Sequence, residues 1–415
     1  MSMQQLGIYL DFVKIIASFL ARLIVEKAQS VAHRFTYRPS PDPLNVIVVG
    51  GSFAGCLAAQ RLAHTLPTGY RVILVEKHSH FHYTFSFPRN AVFSGREHNA
   101  FVAYDGLASG APDGIFRQIC DEVTEVGEKT ITTRGGISLD YDHLVVATGA
   151  SQPPPARLRA SEKDDSIVEL QELQQRIEKA PRVAVVGGGA VGVELATDMK
   201  DRYPDKHVTL IHSRKQLLPR FGPKLHDHVL AKLGEQGIEV LLGEKPTLPD
   251  DAGQIVRETN LKFTNGEMKT FDLVIPCTGF RPHSNLLATY SPKSIASSGE
   301  IKVKQSLQVD NLPSTRQNVF AVGDVAQSGG PKQARAAMIQ VEVAVQNILS
   351  LIKDNSAKGV YVPQYFENTL QLTLGTKLGV MYLQKGDYEW LKEMNKTDAD
   401  LNVGKIRWQL NAKST

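Results

Sequence analysis

One pattern occurs twice in this 415-residue chain, 137 residues apart: a short β-branched run, a glycine-rich turn and a helix-like stretch. The first copy runs from Asn45–Val49 through G-G-S-F-A-G at Gly50–Gly55 into Cys56–His64. A turn of this kind brings backbone N–H groups and a helix amino terminus against a pyrophosphate, with glycine where the chain bends and where helix meets strand. A second strand, Arg71–Val75, ends at Glu76, 21 residues after Gly55, where an acid holds adenosine ribose hydroxyls. The one departure is Ser52 in place of the middle glycine. The second copy keeps all three glycines: Arg182–Val186, then G-G-G-A-V-G at Gly187–Gly192, then Val193–Lys200. Its second strand, His207–Ile211, is followed by His212, Ser213 and Arg214, which puts His212 where the first copy has Glu76. An acid there repels the 2′-phosphate of NADPH, whereas His212 and Arg214 welcome it, so NADPH is expected to serve at least as well as NADH. Two such units in one chain imply two dinucleotides passing electrons, a tightly held flavin and a visiting nicotinamide.

Composition narrows the remaining classes. Lys plus Arg is 47 against 43 Asp plus Glu, a formal charge of +4, which does not mark a nucleic-acid binder. The three cysteines, Cys56, Cys120 and Cys277, form no C-x-x-C pair and no metal-ligand spacing, so neither a dithiol nor a metal site is expected.

The amino terminus is apolar over residues 6–25, but Asp11, Lys14 and Arg22 interrupt it, leaving too short a run for a spanning helix. Asp11, Lys14, Ser18, Arg22, Glu26 and Gln29 form one narrow polar stripe; Phe12, Ile16, Phe19, Leu20 and Leu23 belong to the broad apolar arc. This suits an amphipathic helix over 1–35 lying in a membrane interface. A helix packed on the protein or a partner, and a mitochondrial presequence weakened by Asp11 and Glu26, are the alternatives. The chain does not begin Met-Gly, which excludes myristoylation. Arg34, Arg38, Pro39, Pro41 and Pro43 read as a linker.

Three further stretches carry a resemblance to a family. Leu144–Ala150 reads L-V-V-A-T-G-A, Leu273–Phe280 reads L-V-I-P-C-T-G-F, and Asn318–Ala326 reads N-V-F-A-V-G-D-V-A. In this order they resemble the two-dinucleotide-binding flavoproteins related to glutathione reductase. The late motif, whose Asp324 by resemblance bonds the flavin's ribityl chain, lies 274 residues after Gly50. The resemblance therefore implies an α/β chain of two Rossmann-like domains, with the NAD(P)H-binding domain (156–280) inserted in the FAD-binding domain (44–155 and 281–352). A C-terminal α+β segment (358–415) follows. Within that superfamily the chain looks most like the apoptosis-inducing-factor-like quinone reductases, the ferroptosis suppressor protein group. Phe81, His82 and Arg89, the run Gly192-Val193-Glu194, V-T-L-I-H-S at Val208–Ser213, and Pro331-Lys332 carry this over Asn45–Met381. Ser52, the missing myristoyl signal and the tail after Tyr382 depart from it. Glutathione-reductase-type catalysis is excluded, because Cys56 stands alone.

The cofactor-binding residues so implied are Gly50, Gly51, Ser52, Phe53, Ala54, Gly55, Glu76, Lys77, Arg89 and Val123, then Ala147, Thr148 and Gly149, and Gly323, Asp324 and Gln333. On the nicotinamide side they are Gly187, Gly189, Gly192, His212, Arg214, Thr278 and Gly279. Glu194 is expected to orient the nicotinamide. Lys332 is expected to stabilise reduced flavin at the start of a helix near Pro331, aided by Gln333. His82 and Tyr83 are candidates for an acceptor pocket. Together these imply an FAD-dependent NAD(P)H oxidoreductase, intracellular and membrane-associated at a mitochondrial or lipid-droplet surface, reducing a ubiquinone-like quinone as monomer or homodimer. Leu370, Leu372, Leu374, Val380, Tyr382, Trp390 and Trp408 in the tail suit flavin cover, lipid contact, core packing or dimerisation. The competing readings are a reductase of a small electron-carrier protein, for which Arg214, Lys215, Arg220 and Lys224 offer a basic cluster, and an NAD(P)H-sensing signalling flavoprotein.

Overall fold

The computed structural model describes residues 3–313, 317–395 and 398–413, with the side chains of the first helix described only in part. The chain begins with α1 (Met3–Thr36), β1 (Leu44–Val49), α2 (Phe53–Ala63), β2 (Tyr70–Glu76), β3 (Phe116–Cys120) and β4 (His143–Val146). It continues with α3 (Lys163–Lys179), β5 (Arg182–Val186), α4 (Ala190–Arg202), β6 (His207–His212), α5 (Pro223–Glu235), β7 (Glu239–Leu242) and β8 (Leu273–Pro276). It ends with β9 (Val319–Ala321), α6 (Ala334–Asp354), β10 (Leu370–Thr373), β11 (Gly379–Lys385), β12 (Tyr388–Met394) and α7 (Val403–Gln409). Two compact units result, one of 1–77, 105–149 and 282–363, the other of 78–104, 150–281 and 364–415.

The first unit is built on a parallel sheet in the order β9-β4-β1-β2-β3. Val46–Val49 and Val72–Val75 are buried without alternation, as strands covered on both faces must be. Helix α6 packs on α2, where Arg61 and Glu342 pair at 3.1 Å. Among the described residues α6 is the one helix long and apolar enough to cross a membrane; half of that stretch is buried inside the fold, as in a core helix. The end of α1 is tied to this unit: Ser30 Oγ meets His64 Nδ1 at 2.9 Å, His33 Nε2 meets the Leu66 carbonyl at 2.8 Å, and the Tyr37 hydroxyl donates to the Tyr70 carbonyl at 2.9 Å. Burial, then His33, Arg34, Arg61 and Lys27, push His64 down to about 4. Phe12, Ile16, Phe19, Leu20 and Leu23, with Ser18, Arg22 and Glu26, lie outside the residues whose side chains are described.

The second unit carries a four-stranded parallel sheet, β7-β6-β5-β8, and an antiparallel sheet, β10-β11-β12. Its composition differs from the domain limits expected from the sequence in two ways. The stretch 78–104 belongs to it, because Phe87, Ala91 and Phe101 bury in one core with Val185, Leu195 and Leu210. The tail from Gln364 is no separate segment, since Leu372, Leu374, Val380 and Tyr382 enter the same core. The Tyr382 hydroxyl accepts from Gly222 N–H at 3.0 Å and donates to Glu389 at 2.6 Å, and Glu389 accepts from Lys224 N–H at 3.1 Å, which fastens the tail's sheet to the start of α5. Trp408 on α7 is exposed.

Candidate functional site

In the first unit the glycine turn stands at the carboxyl end of β1. Gly50 has φ +100°, and a Cβ there would lie 2.5 Å from the Ala147 oxygen. A Cβ on Gly55 would lie 1.6 Å from the Gly50 oxygen, so strand and helix approach closely only because both residues are glycine. Ser52 is the N-cap of α2, but its side chain makes no capping bond, and Phe53 and Ala54 open the helix. A Cβ on Gly323 would meet the Ala54 Cβ at 3.5 Å, which brings the late motif against the turn. The Gly51 N–H donates to the Glu76 carboxylate. Thr148 donates to the His283 carbonyl at 2.7 Å, and His283 N–H to Gly149 at 3.0 Å, which fixes Ala147–Gly149 beside the turn. Lys77 follows β2, and Val123 begins a hairpin three residues after β3, so both lie beyond the carboxyl ends of two paired strands. Asp324 lies in a 3-10 turn just after Gly323, and Gln333 is the N-cap of α6.

The second unit repeats the arrangement. A Cβ on Gly187, at φ +132°, would lie 2.6 Å from the Cys277 oxygen and 3.0 Å from Thr278 Cγ2. One on Gly192 would lie 1.9 Å from the Gly187 oxygen. Gly189, the N-cap of α4, has open space around it, as close approach of a phosphate requires, and Gly279 follows Thr278 beyond β8. Both turns therefore fit a dinucleotide: close-packed glycines below, a helix start without a capping side chain above. His212, at the end of β6, takes the Gly188 N–H on Nδ1 at 3.1 Å; Arg214 is exposed two residues on.

Two of the expected site residues have partners that the sequence reading does not anticipate. Lys332 pairs with Glu300 at 2.5 Å and donates to the Ala326 carbonyl at 2.5 Å, so its charge is neutralised within its own unit instead of standing at a helix start. The helix begins at Ala334, after Gln333. Arg89 lies in the second unit, with its guanidinium fork on Asp198 at 3.0 and 3.2 Å and a further bond to the Gly375 carbonyl at 2.8 Å. Both side chains of that pair are buried.

Glu194, one turn before Asp198 on α4, accepts from Thr373 N–H at 3.0 Å and from its hydroxyl at 3.1 Å, both on Oε1. Burial pushes Glu194 up to about 7, Thr373 opposes this, and Asp198 adds to it. Burial likewise lifts Asp198 to about 6 against the pull of Arg89, so both carboxyls hold their protons more tightly than a free one does. Sequence reasoning missed Asp198 and Thr373. The i, i+4 spacing of Asp198 from Glu194 was a usable signal; nothing local points to Thr373. Cys56 donates to the Gly51 carbonyl at 3.0 Å, and burial, then Glu76, push its thiol well up. Among the described residues no group of three or more His, Cys, Asp and Glu side chains is placed to hold a metal.

Two glycine turns on two parallel sheets define a two-dinucleotide α/β oxidoreductase fold. The family model for pyridine nucleotide-disulphide oxidoreductases matches residues 44–340, and the chain belongs to that family. It is similar to Fe-regulated protein 8 of Mycosarcoma maydis, 33% identical over 381 residues covering 86% of this chain and 92% of the relative. It is also similar to human ferroptosis suppressor protein 1, 30% identical over 351 residues, 81% and 88% of the two chains. Among solved structures, the sulfide:quinone oxidoreductase of Aquifex aeolicus shares the fold, with TM-score 0.69 at 17% identity over 88% of this chain and 91% of that one. So does the water-forming NADH oxidase of Lactobacillus brevis, with TM-score 0.62 at 19% identity over 82% and 75%. The chain is an FAD-dependent NAD(P)H oxidoreductase.

Proposed function

We propose that this oxidoreductase takes hydride from NAD(P)H in the second unit, carries it on FAD in the first, and delivers electrons to a ubiquinone-like quinone at a membrane surface. The observation that carries the external acceptor is Cys56. It is buried, bonded to the Gly51 carbonyl, and its raised pKa keeps it a thiol, so it is no electron-accepting dithiol. FAD, when bound, supplies the two-electron chemistry; the residues supply binding, orientation and protons. The turn Gly50–Gly55, with Ala147–Gly149, Gly323 and Asp324, holds the flavin, with Glu76 at its adenosine end. Gly187–Gly192, His212, Arg214, Thr278 and Gly279 hold the nicotinamide nucleotide. Glu194, its proton loosely held near neutral pH, orients the nicotinamide and exchanges a proton at its carboxylate. Quinone reduction consumes protons as well as electrons, which gives such a group a use. The 34-residue α1, pinned to the first unit by its last turns, supports a lipid-borne acceptor.

Anaerobic stopped-flow of the FAD-loaded protein, mixed with NADH or NADPH and then a short-chain ubiquinone, tests this. Flavin bleaching followed by fast quinone-dependent reoxidation is the expected result. Fast bleaching with slow reoxidation by quinone would reject the acceptor and favour a small electron-carrier protein.

A further inference from the structure

The two units make one contact with two chemistries. Where Gly51 N–H donates to the Glu76 carboxylate, Gly188 N–H donates to His212 Nδ1. A backbone N–H only donates, so the nitrogen facing it carries no proton and the neutral ring keeps its proton on Nε2. His212 is only 8% exposed, and its Nε2 is buried without a hydrogen-bond partner. Among the influences on the ring, the Gln216 backbone alone favours a proton there.

The surroundings oppose a second proton. Burial is the largest influence, and the charged groups around the ring, Arg214 and His226, act in the same direction. His226 is itself engaged, taking Leu217 N–H on Nδ1 at 3.0 Å. A cationic His212 would have to surrender the Gly188 contact, because both its nitrogens would then be donors. Gly188 is packed against the ring: a Cβ there would lie 2.8 Å from His212 Cγ and 2.5 Å from Leu217 Cδ2.

We propose that His212 is an uncharged coenzyme selector, whose Nε2–H donates to the adenosine 2′ substituent whether hydroxyl or phosphate, while Arg214 alone supplies the positive charge that a 2′-phosphate calls for. This rests on the reading that the second unit binds NAD(P)H. It replaces the expectation of two basic residues with a division of labour. The acid of the first unit accepts from a hydroxyl and repels a phosphate; the neutral donor of the second binds either, so both coenzymes are admitted and Arg214 sets the balance.

The test is calorimetric titration of the full-length, FAD-loaded protein with ADP and with 2′,5′-ADP in two buffers of different ionisation enthalpy. At about pH 7.5 the 2′-phosphate, whose second ionisation lies near 6, is already dianionic and takes up no proton itself. The expected result is no net proton uptake with either ligand. Arg214→Ala should weaken 2′,5′-ADP by roughly tenfold or more, as loss of a charge-assisted hydrogen bond does, and leave ADP affected far less. His212→Gln, whose amide both accepts and donates, should keep the ratio of the two affinities, and His212→Glu should lose 2′,5′-ADP selectively. Uptake approaching one proton with 2′,5′-ADP, or a His212→Gln variant that loses this ligand as strongly as Arg214→Ala, would overturn the inference. If neither ADP, 2′,5′-ADP nor NAD+ binds, the nucleotide reading of the second unit falls, and the inference with it.

Discussion

Glu194 and Asp198 lie four residues apart on α4, so both carboxylates share one face of the helix, and the Arg89 fork closes on Asp198. Burial raises both, and Arg89 opposes the rise chiefly at Asp198. Glu194 holds its proton more tightly in the folded chain than in the unfolded one, so the stability it contributes is full below about 4.5 and is lost as pH rises through about 7. Glu194→Gln should remove that component. Urea unfolding at several pH values should show a decline between acid and neutral pH smaller by on the order of 2 kcal/mol. An undiminished decline would place the titration elsewhere. The glycine pairs behave as separable locks. Gly55→Ala drives a methyl into the Gly50 oxygen and is expected to abolish FAD retention; Gly192→Ala does the same at Gly187 and should abolish NAD(P)H binding while the protein stays yellow. Flavin absorbance and nucleotide titration on each variant check this. These glycines were legible from spacing alone, because a turn against a pyrophosphate dictates residue type locally. The bond from Thr373 to Glu194 was not, since it spans 179 residues and depends on where β10 docks.

At the scale of elements, the short helical turn Phe87–Asn90 is held to α4 by the Arg89–Asp198 pair and by the packing of Phe87 and Phe101. Sequence similarity marks Arg89 but not its partner, which the fold supplies from α4. A buried guanidinium requires an acid, and the acid here belongs to α4. Arg89→Ala leaves Asp198 buried and unpaired, which should destabilise the second unit by about 3–5 kcal/mol. Chemical denaturation measures that. If stability instead stays within about 1 kcal/mol, as for an exposed pair, the bridge is not what holds the turn. The antiparallel sheet β10-β11-β12 shows a similar limit. Its strands are suggested by alternation over Leu370, Leu372 and Leu374, but its attachment through Tyr382 and Glu389 to the start of α5 joins positions about 160 residues apart and leaves no local mark.

For the whole molecule, the two nucleotide-binding patterns were legible because each is complete within a few dozen residues. The allocation of 78–104 and of the tail was not, because it is decided by burial in a distant core. Helix α1 is a further whole-chain feature with a measurable outcome. Removing residues 1–29 keeps the contacts of Ser30, His33 and Tyr37 and should leave FAD content unchanged while reducing co-sedimentation with anionic lipid vesicles; equal sedimentation of both forms would remove α1 from the membrane reading. The order of strands also sets a timetable for synthesis. Strand β4 pairs with β1 early, but its other edge waits for β9, where Leu144 meets Val319, whereas the sheet β7-β6-β5-β8 is complete once β8 has emerged. A nascent chain arrested far enough beyond Phe280 for β8 to have left the ribosome, with β9 still inside it, should therefore protect residues 182–276 from protease more strongly than residues 44–146. The sheet that starts first on the ribosome closes second, with a bare strand edge exposed to other chains in the interval.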